Sequence, residues 1–163
     1  MTAPVRLSRG LPDPGATDAL GRALAPLLRP GDLVCLRGDL GAGKSALARS
    51  LIRARAGGAE IEVPSPTFTL VQDYDLPGGL HLWHVDLYRL ASPDEAAELG
   101  LDDALRGGAV VLIEWPERIE GLLPADRLDV TLELPPAGGG GRVAHLTGGP
   151  GWADRLAGLA AGG

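Results

Sequence analysis

The sequence predicts an α/β fold with helices layered on a mixed, mainly parallel sheet and β-hairpins inserted into it. Three observations lead there. Residues 32–37 (DLVCLR) form a short apolar run feeding a Gly-rich loop, and Ala109 to Ile113 is wholly apolar, as strands buried on both faces of a parallel sheet are. Other segments place their apolar residues at helical spacing. Glycine and proline are abundant, 25 and 14 of 163 residues, but they gather between the patterned segments. Clusters at 77–79, 135–141 and 148–151 therefore read as turns rather than as a disordered chain.

Taken in order, Ala16, Leu20, Ala23, Leu24, Leu27 and Leu28 predict a helix over 16–28, ended by Pro30-Gly31. The 32–37 strand follows. Residues 44–56, rich in alanine and leucine with Ile52, predict a helix closed by Gly57-Gly58. Thr67 to Tyr74 and Leu80 to Val85 flank residues 75–79 as a hairpin with a five-residue connection. Ser92-Pro93-Asp94-Glu95 is a helix start, with Ser92 the expected cap, Pro93 in the first turn and Glu95 completing a capping box. That helix stops at Gly100, and a short one over 101–106 precedes the central parallel strand at 109–113. Leu128 to Leu134 and Arg142 to Thr147 predict a second hairpin, and 151–160 a closing helix.

The length suits one domain over residues 1–163 with a real core. A net charge of −6 gives no overall field favouring nucleic acid or an anionic membrane. Cys35, the single cysteine, rules out an intramolecular disulfide and suits a reducing compartment. Residues 1–12 carry Pro4, Arg6, Arg9 and Gly10 and no long apolar run, so no signal peptide is expected, and no window reaches the length of a membrane span. The expected location is cytoplasmic, with no membrane partner.

The chain contains one lysine and fourteen arginines, and the lysine is Lys44. It lies in Gly38-Asp39-Leu40-Gly41-Ala42-Gly43-Lys44-Ser45, which fits G-x-x-x-x-G-K-[ST]. A predicted strand precedes this stretch and a predicted helix follows it, the context that a phosphate-binding loop requires. The fold class thus sharpens to a P-loop NTPase-like three-layer fold. An ammonium is a compact point charge that fits inside a ring of backbone amides, where a planar guanidinium does not. Gly41 and Gly43 permit positive φ and close phosphate approach. The amides around residues 41–46, Gly41, Ala42, Gly43, Lys44, Ser45 and Ala46, then surround a phosphate chain, helped by the helix dipole. Lys44 would bridge β- and γ-phosphates, and the Ser45 hydroxyl would ligate Mg²⁺.

Such a metal also needs a carboxylate at the end of a neighbouring strand. Glu114 directly follows the 109–113 run, and Asp86 holds a comparable place after Leu80 to Val85. The plainer alternatives are a solvated loop acid at 114 and an ion pair of Asp86 with Arg89. Two absences narrow the chemistry. The chain has no asparagine and no second lysine, so a guanine-reading N-K-x-D motif cannot exist. Gln72 is the sole glutamine and falls mid-hairpin, so no Ras-like water-positioning glutamine is evident and slow unassisted hydrolysis is expected.

Four blocks, GDLGAGKS at 38–45, SPTFTLV at 65–71, HVDLYRL at 84–90 and IEWPE at 113–117, resemble in residues and order the TsaE family. Those proteins are small bacterial ATPases of tRNA threonylcarbamoyladenosine biosynthesis. The likeness runs from about residue 12 to 134. It implies an ATP- and Mg²⁺-binding subunit acting with TsaD and TsaB, which reaches tRNA indirectly through that complex and resets it by hydrolysis between turnovers. On this chain it makes Ser45 and Glu114 metal ligands, with Asp86 an essential acid near the γ-phosphate. It also makes Thr67 a switch residue in Ser65-Pro66-Thr67, and places Trp115 beside the nucleotide and Thr17 near base or ribose. The family often has Thr-Thr after the lysine. Here Ser45-Ala46 keeps the metal hydroxyl and, at Ala46, the backbone N–H.

Other residues take plainer roles. His81, His84 and His145 make no convincing metal set. Trp83 packs the hairpin, and Arg49, Arg53 and Arg55 form a solvated helix face. A small-molecule or nucleoside kinase is the competing enzyme class, with Arg118 or Arg127 in place of a lid arginine. A module whose segment 65–90 is ordered by ATP is the non-catalytic alternative.

Overall fold

A computed structural model describes residues 4–39, 41–58, 61–64, 70–135 and 140–161. Seven strands form one sheet: β1 (Val5–Leu11), β2 (Leu33–Arg37), β3 (Val71–Leu76), β4 (Leu80–Asp86), β5 (Val110–Glu114), β6 (Leu128–Glu133) and β7 (Arg142–Gly148). Their order is β1-β7-β6-β2-β5-β4-β3. The central pairings β6-β2, β2-β5 and β5-β4 are parallel, and the flanking ones are antiparallel. Strands β1, β2, β4, β5 and β6 thus share one direction, which β3 and β7 oppose.

Alternation along β2 explains why its run is unbroken. Val34 and Leu36 join a core with Leu20, Leu24, Leu47, Leu51 and Trp152, while Leu33 and Cys35 join another with Ala96, Leu101 and Ile119. Helices α1 (Pro14–Leu24), α2 (Lys44–Arg55) and α5 (Ala153–Ala161) therefore cover one face. Helices α3 (Pro93–Leu99) and α4 (Leu101–Arg106) cover the other, with 3₁₀ turns over Pro116–Leu122. Three layers result, as expected.

The boundaries moved for local reasons. α1 starts earlier than predicted, because Asp13 caps it by accepting from the Ala16 amide at 2.8 Å and Pro14 occupies the first turn. It becomes a 3₁₀ turn at Ala25–Leu27, since Pro26 offers no N–H to the helical ladder. The first hairpin connection is three residues rather than five, with Leu76 paired to Leu80. Residues 67–69, the predicted start of β3, lie outside the described residues. Ser92 does stand at the N-cap of α3, but its hydroxyl caps nothing. The strand β1 was not anticipated. It pairs Val5–Leu11 with β7 at the sheet edge. Among the described residues no helix is long and apolar enough to cross a membrane.

Candidate functional site

The loop after β2 is shaped by three glycines. Gly38 has φ +143°, and a Cβ there would stand 2.6 Å from the Leu132 carbonyl oxygen, so the chain leaves the sheet through a gap that admits no side chain. Gly41 and Gly43 have φ +80° and +102°. Gly43 is the N-cap of α2 and makes no side-chain cap bond. By helix geometry the amides of Gly43, Lys44, Ser45 and Ala46 have no partner one turn back, and they share the positive end of the α2 dipole. The Ala42 amide instead donates to the Asp39 carbonyl at 3.0 Å and closes the turn. On the β7 side, Arg142 donates to the Gly41 carbonyl at 2.8 Å.

Lys44 is 5% exposed. Its ammonium donates to the carbonyls of Gly38 and Asp39 and lies 3.7 Å from the centre of the Trp115 ring. Burial pulls its pKa below the usual lysine value, with the charges of Glu114 and Glu117 pulling the other way. Trp115 itself adopts left-handed backbone angles, φ +62° and ψ +48°. For a bulky residue that conformation is costly. It turns the indole back over the loop, where it also meets Tyr88 with ring centres 5.0 Å apart.

Glu114 ends β5 and is 2% exposed, which removes the solvated-acid alternative. One carboxylate oxygen accepts from the Ser45 hydroxyl at 2.8 Å, and the other lies 2.6 Å from His84 Nε2. Asp86 ends β4 directly beside it, because the parallel register pairs Asp86 with Glu114. Its Oδ1 accepts from the Tyr88 amide at 2.9 Å. Two carboxylates thus sit side by side at the carboxyl ends of neighbouring strands, where ligands bind in open α/β sheets.

These residues fit a magnesium ion. Mg²⁺ takes oxygen ligands at ~2.0–2.1 Å in octahedral geometry, so adjacent ligands stand about 2.9 Å apart. The Ser45 and Glu114 oxygens are separated by 2.8 Å. They line a cleft of about 440 Å³ together with Lys44, Asp86, Tyr88 and Trp115. A neighbouring cleft of about 330 Å³ holds Thr17, Leu11, Pro14 and Arg142 and shares Gly43, Ala46 and Arg49 with the first. An apolar hollow of similar size between α3, α4 and β5 contains none of these residues.

The structure therefore brings together Gly41, Ala42, Gly43, Lys44, Ser45, Ala46, Asp86, Glu114 and Trp115, with Thr17 in the adjoining cleft. Thr67 lies outside the described residues. The three histidines are apart: His81 meets Asp75, His84 meets Glu114, and His145 meets Ser8 and Glu133. Among the described residues, His81, Asp73 and Asp75 are the one place where three His, Cys, Asp or Glu donors converge, and all three are exposed. The expected solvated face of α2 holds at Arg53, which is exposed, and only in part at the half-buried Arg49 and Arg55. Arg53 and Arg55 donate to the carbonyls of Ile61 and Ala25, and Arg49 is half-buried between the clefts. Arg127 is held by Asp129 and the Pro124 carbonyl and does not line the cleft. Sequence reasoning weighed His84 only as a member of a metal set and passed over Tyr88 and Arg142. His84 had a signal, since it stands two residues before Asp86 and so on the same strand face.

The family model of the threonylcarbamoyl adenosine biosynthesis protein TsaE matches residues 11–138 of the chain. The tRNA threonylcarbamoyladenosine biosynthesis protein TsaE of Rickettsia bellii is 44% identical over 118 residues, covering 72% of this chain and 80% of that protein. The Bacillus subtilis protein of the same name is 40% identical over 121 residues, 74% of this chain and 73% of its own. Among solved structures, the crystal structure of Bacillus subtilis YdiB superposes with a TM-score of 0.77 at 30% identity. It covers 96% of this chain and 95% of its own.

Proposed function

We infer, because the chain belongs to the TsaE family of threonylcarbamoyl adenosine biosynthesis proteins, that it binds and hydrolyses ATP with Mg²⁺ in service of the TsaD–TsaB complex. tRNA would be reached only through that complex. The observation that supports this reading best is the Ser45–Glu114 contact of 2.8 Å beneath the P-loop, with Asp86 in register beside it.

In this reading the amides of residues 43–46 orient the phosphate oxygens, and Lys44 turns from the Gly38 and Asp39 carbonyls to the β- and γ-phosphates. Ser45 and Glu114 would hold the ion, which when bound neutralises charge between those phosphates. Asp86, fixed through the Tyr88 amide, presents a carboxylate toward the γ-phosphate end of the same cleft. Trp115 and Tyr88 wall that end and limit water. Thr17 lines the cleft into which base and ribose would extend. Gln72, the sole glutamine, is on the edge strand β3 and not among the lining residues, which supports slow turnover without partners.

Reconstitution tests this. TsaD and TsaB are expected to accelerate ATP hydrolysis by the chain, and Asp86→Ala or Glu114→Ala to stop repeated rounds of tRNA modification. Turnover indifferent to the partners, or modification unaffected by both substitutions, would contradict it.

A further inference from the structure

Behind the carboxylate at the floor of the phosphate cleft stands a histidine to which the activity above assigns nothing. His84 lies on β4 and is 1% exposed. Its Nε2 is 2.6 Å from Oε2 of Glu114, while Oε1 of the same carboxylate takes the Ser45 hydroxyl at 2.8 Å. An ionised carboxylate can only accept, so Nε2 carries the hydrogen. Nδ1 is buried and has no hydrogen-bond partner among the described residues. Its cross-strand neighbours are Leu112 on β5 and Gln72 on β3, and Leu82 precedes on the same face. A leucine would pack against Leu82 and Leu112 without leaving a ring nitrogen unpaired. What the histidine adds is one donor, aimed at the oxygen of Glu114 that faces away from Ser45.

We propose that His84 is a positioning residue for the metal site: it pins Oε2 of Glu114 so that Oε1 is presented to Ser45 and the divalent cation. A carboxylate on a strand end turns about its terminal bonds unless something holds it. Here one oxygen is held from behind, so the orientation exists before an ion arrives. Partners of this kind, one step removed from a metal, are typically worth roughly 10–100-fold in metal affinity or activity. The inference rests on Glu114 being a metal ligand, and the test separates the two ideas.

The measurement is the Mg²⁺ concentration that gives half-maximal tightening of ATP binding, read by calorimetry, together with ATP affinity in EDTA. His84→Leu removes the donor and keeps the bulk; His84→Gln returns an amide N–H near the Nε2 position. Expected is a rise of about 10-fold or more in the Mg²⁺ requirement for His84→Leu, recovery toward wild type in His84→Gln, and unchanged ATP affinity in EDTA. A merely structural role would weaken ATP binding with and without metal alike. If Glu114→Ala leaves the Mg²⁺ requirement unchanged, the metal-site reading itself falls, and this proposal with it. If Glu114→Ala raises it while His84→Leu does not, only the positioning role is overturned. Should His84→Leu fail to fold, the comparison passes to His84→Asn, whose shorter amide reaches only the Nδ1 position. Equal Mg²⁺ requirements in the Asn and Gln variants would then overturn the proposal.

Discussion

Replacing Lys44 by alanine separates what this residue does for the fold from what it does for a ligand. For the fold, its ammonium makes two contacts to carbonyls and one to the Trp115 ring. Hydrogen bonds involving a charged group contribute ~1.5–3 kcal/mol each and a desolvated cation–π contact ~2 kcal/mol. Against these stands the dehydration of a buried ion, several kcal/mol in effect. Burial pulls the Lys44 pKa down and the charges of Glu114 and Glu117 pull it back up, in keeping with opposed contributions. The two sides nearly cancel, so the melting temperature should move by no more than about 5 °C, at ~2–4 °C per kcal/mol for a chain of this size. A triphosphate instead gives Lys44 a hydrogen-bonded charge pair, whose truncation costs ~2–5 kcal/mol, the lower end applying because the carbonyl and ring contacts are surrendered on binding. A net ~2–3 kcal/mol corresponds to about 10²-fold in affinity. Calorimetry with Mg-ATP and with AMP reads this, since AMP has no β- or γ-phosphate. Expected is a loss of about 10²-fold for ATP and none for AMP. The reasoning is refuted if ATP binds the variant within threefold of wild type, or if AMP loses as much.

Three further outcomes follow from the packing. Gly38→Ala forces a Cβ to 2.6 Å from the Leu132 carbonyl at φ +143°, so it should cost more than about 2 kcal/mol, whereas Gly41→Ala, with open space around it, pays only about 1–2 kcal/mol of backbone strain; urea unfolding of both variants gives the comparison. Asp32 forms a bidentate, largely buried pair with Arg155, so Asp32→Ala should lower the melting temperature by roughly 6–12 °C, from ~3 kcal/mol for a broken buried pair, and leave ATP affinity unchanged in calorimetry. Burial pushes the Cys35 thiol up to about 12, so the native protein should resist alkylation at pH 8 and react once unfolded in urea. The sign for stability follows: the neutral thiol favours the fold below the ordinary thiol pKa near 9.0, and that contribution is lost as pH rises toward 12. Cys35→Ala should therefore lose less stability than wild type over that window.

The parts of the fold legible in the sequence are those that local pattern dictates. The unbroken apolar runs of β2 and β5 announce strands covered on both faces, and the Gly-rich loop between β2 and α2 announces itself. β1 escaped because Arg9 and Gly10 interrupt its alternation of Val5, Leu7 and Leu11. Its partner β7 is also more than a hundred residues distant, and Arg9 is accommodated by donating to the Leu159 carbonyl. The start of α1 at Pro14 was written in Asp13-Pro14, but apolar spacing alone pointed two residues later. At the site, Lys44, Ser45 and the two strand-end acids could be named, since each sits at a position that the motif or a strand terminus defines. His84 could not be tied to Glu114, because only the register of β4 on β5 brings residues thirty apart into contact. Arg142 was invisible for the same reason: its reach to Gly41 depends on β7 returning beside β6 near the loop.

In the proposed function one cavity grips a magnesium-bound triphosphate between the loop amides, Lys44, Ser45 and Glu114. Titrating ATP into the unmodified protein, once with Mg²⁺ and once with EDTA, tests it most directly. The account predicts saturable binding at one site per chain, clearly tighter with the metal. Binding that is absent at millimolar ATP, or equally strong in EDTA, would contradict it.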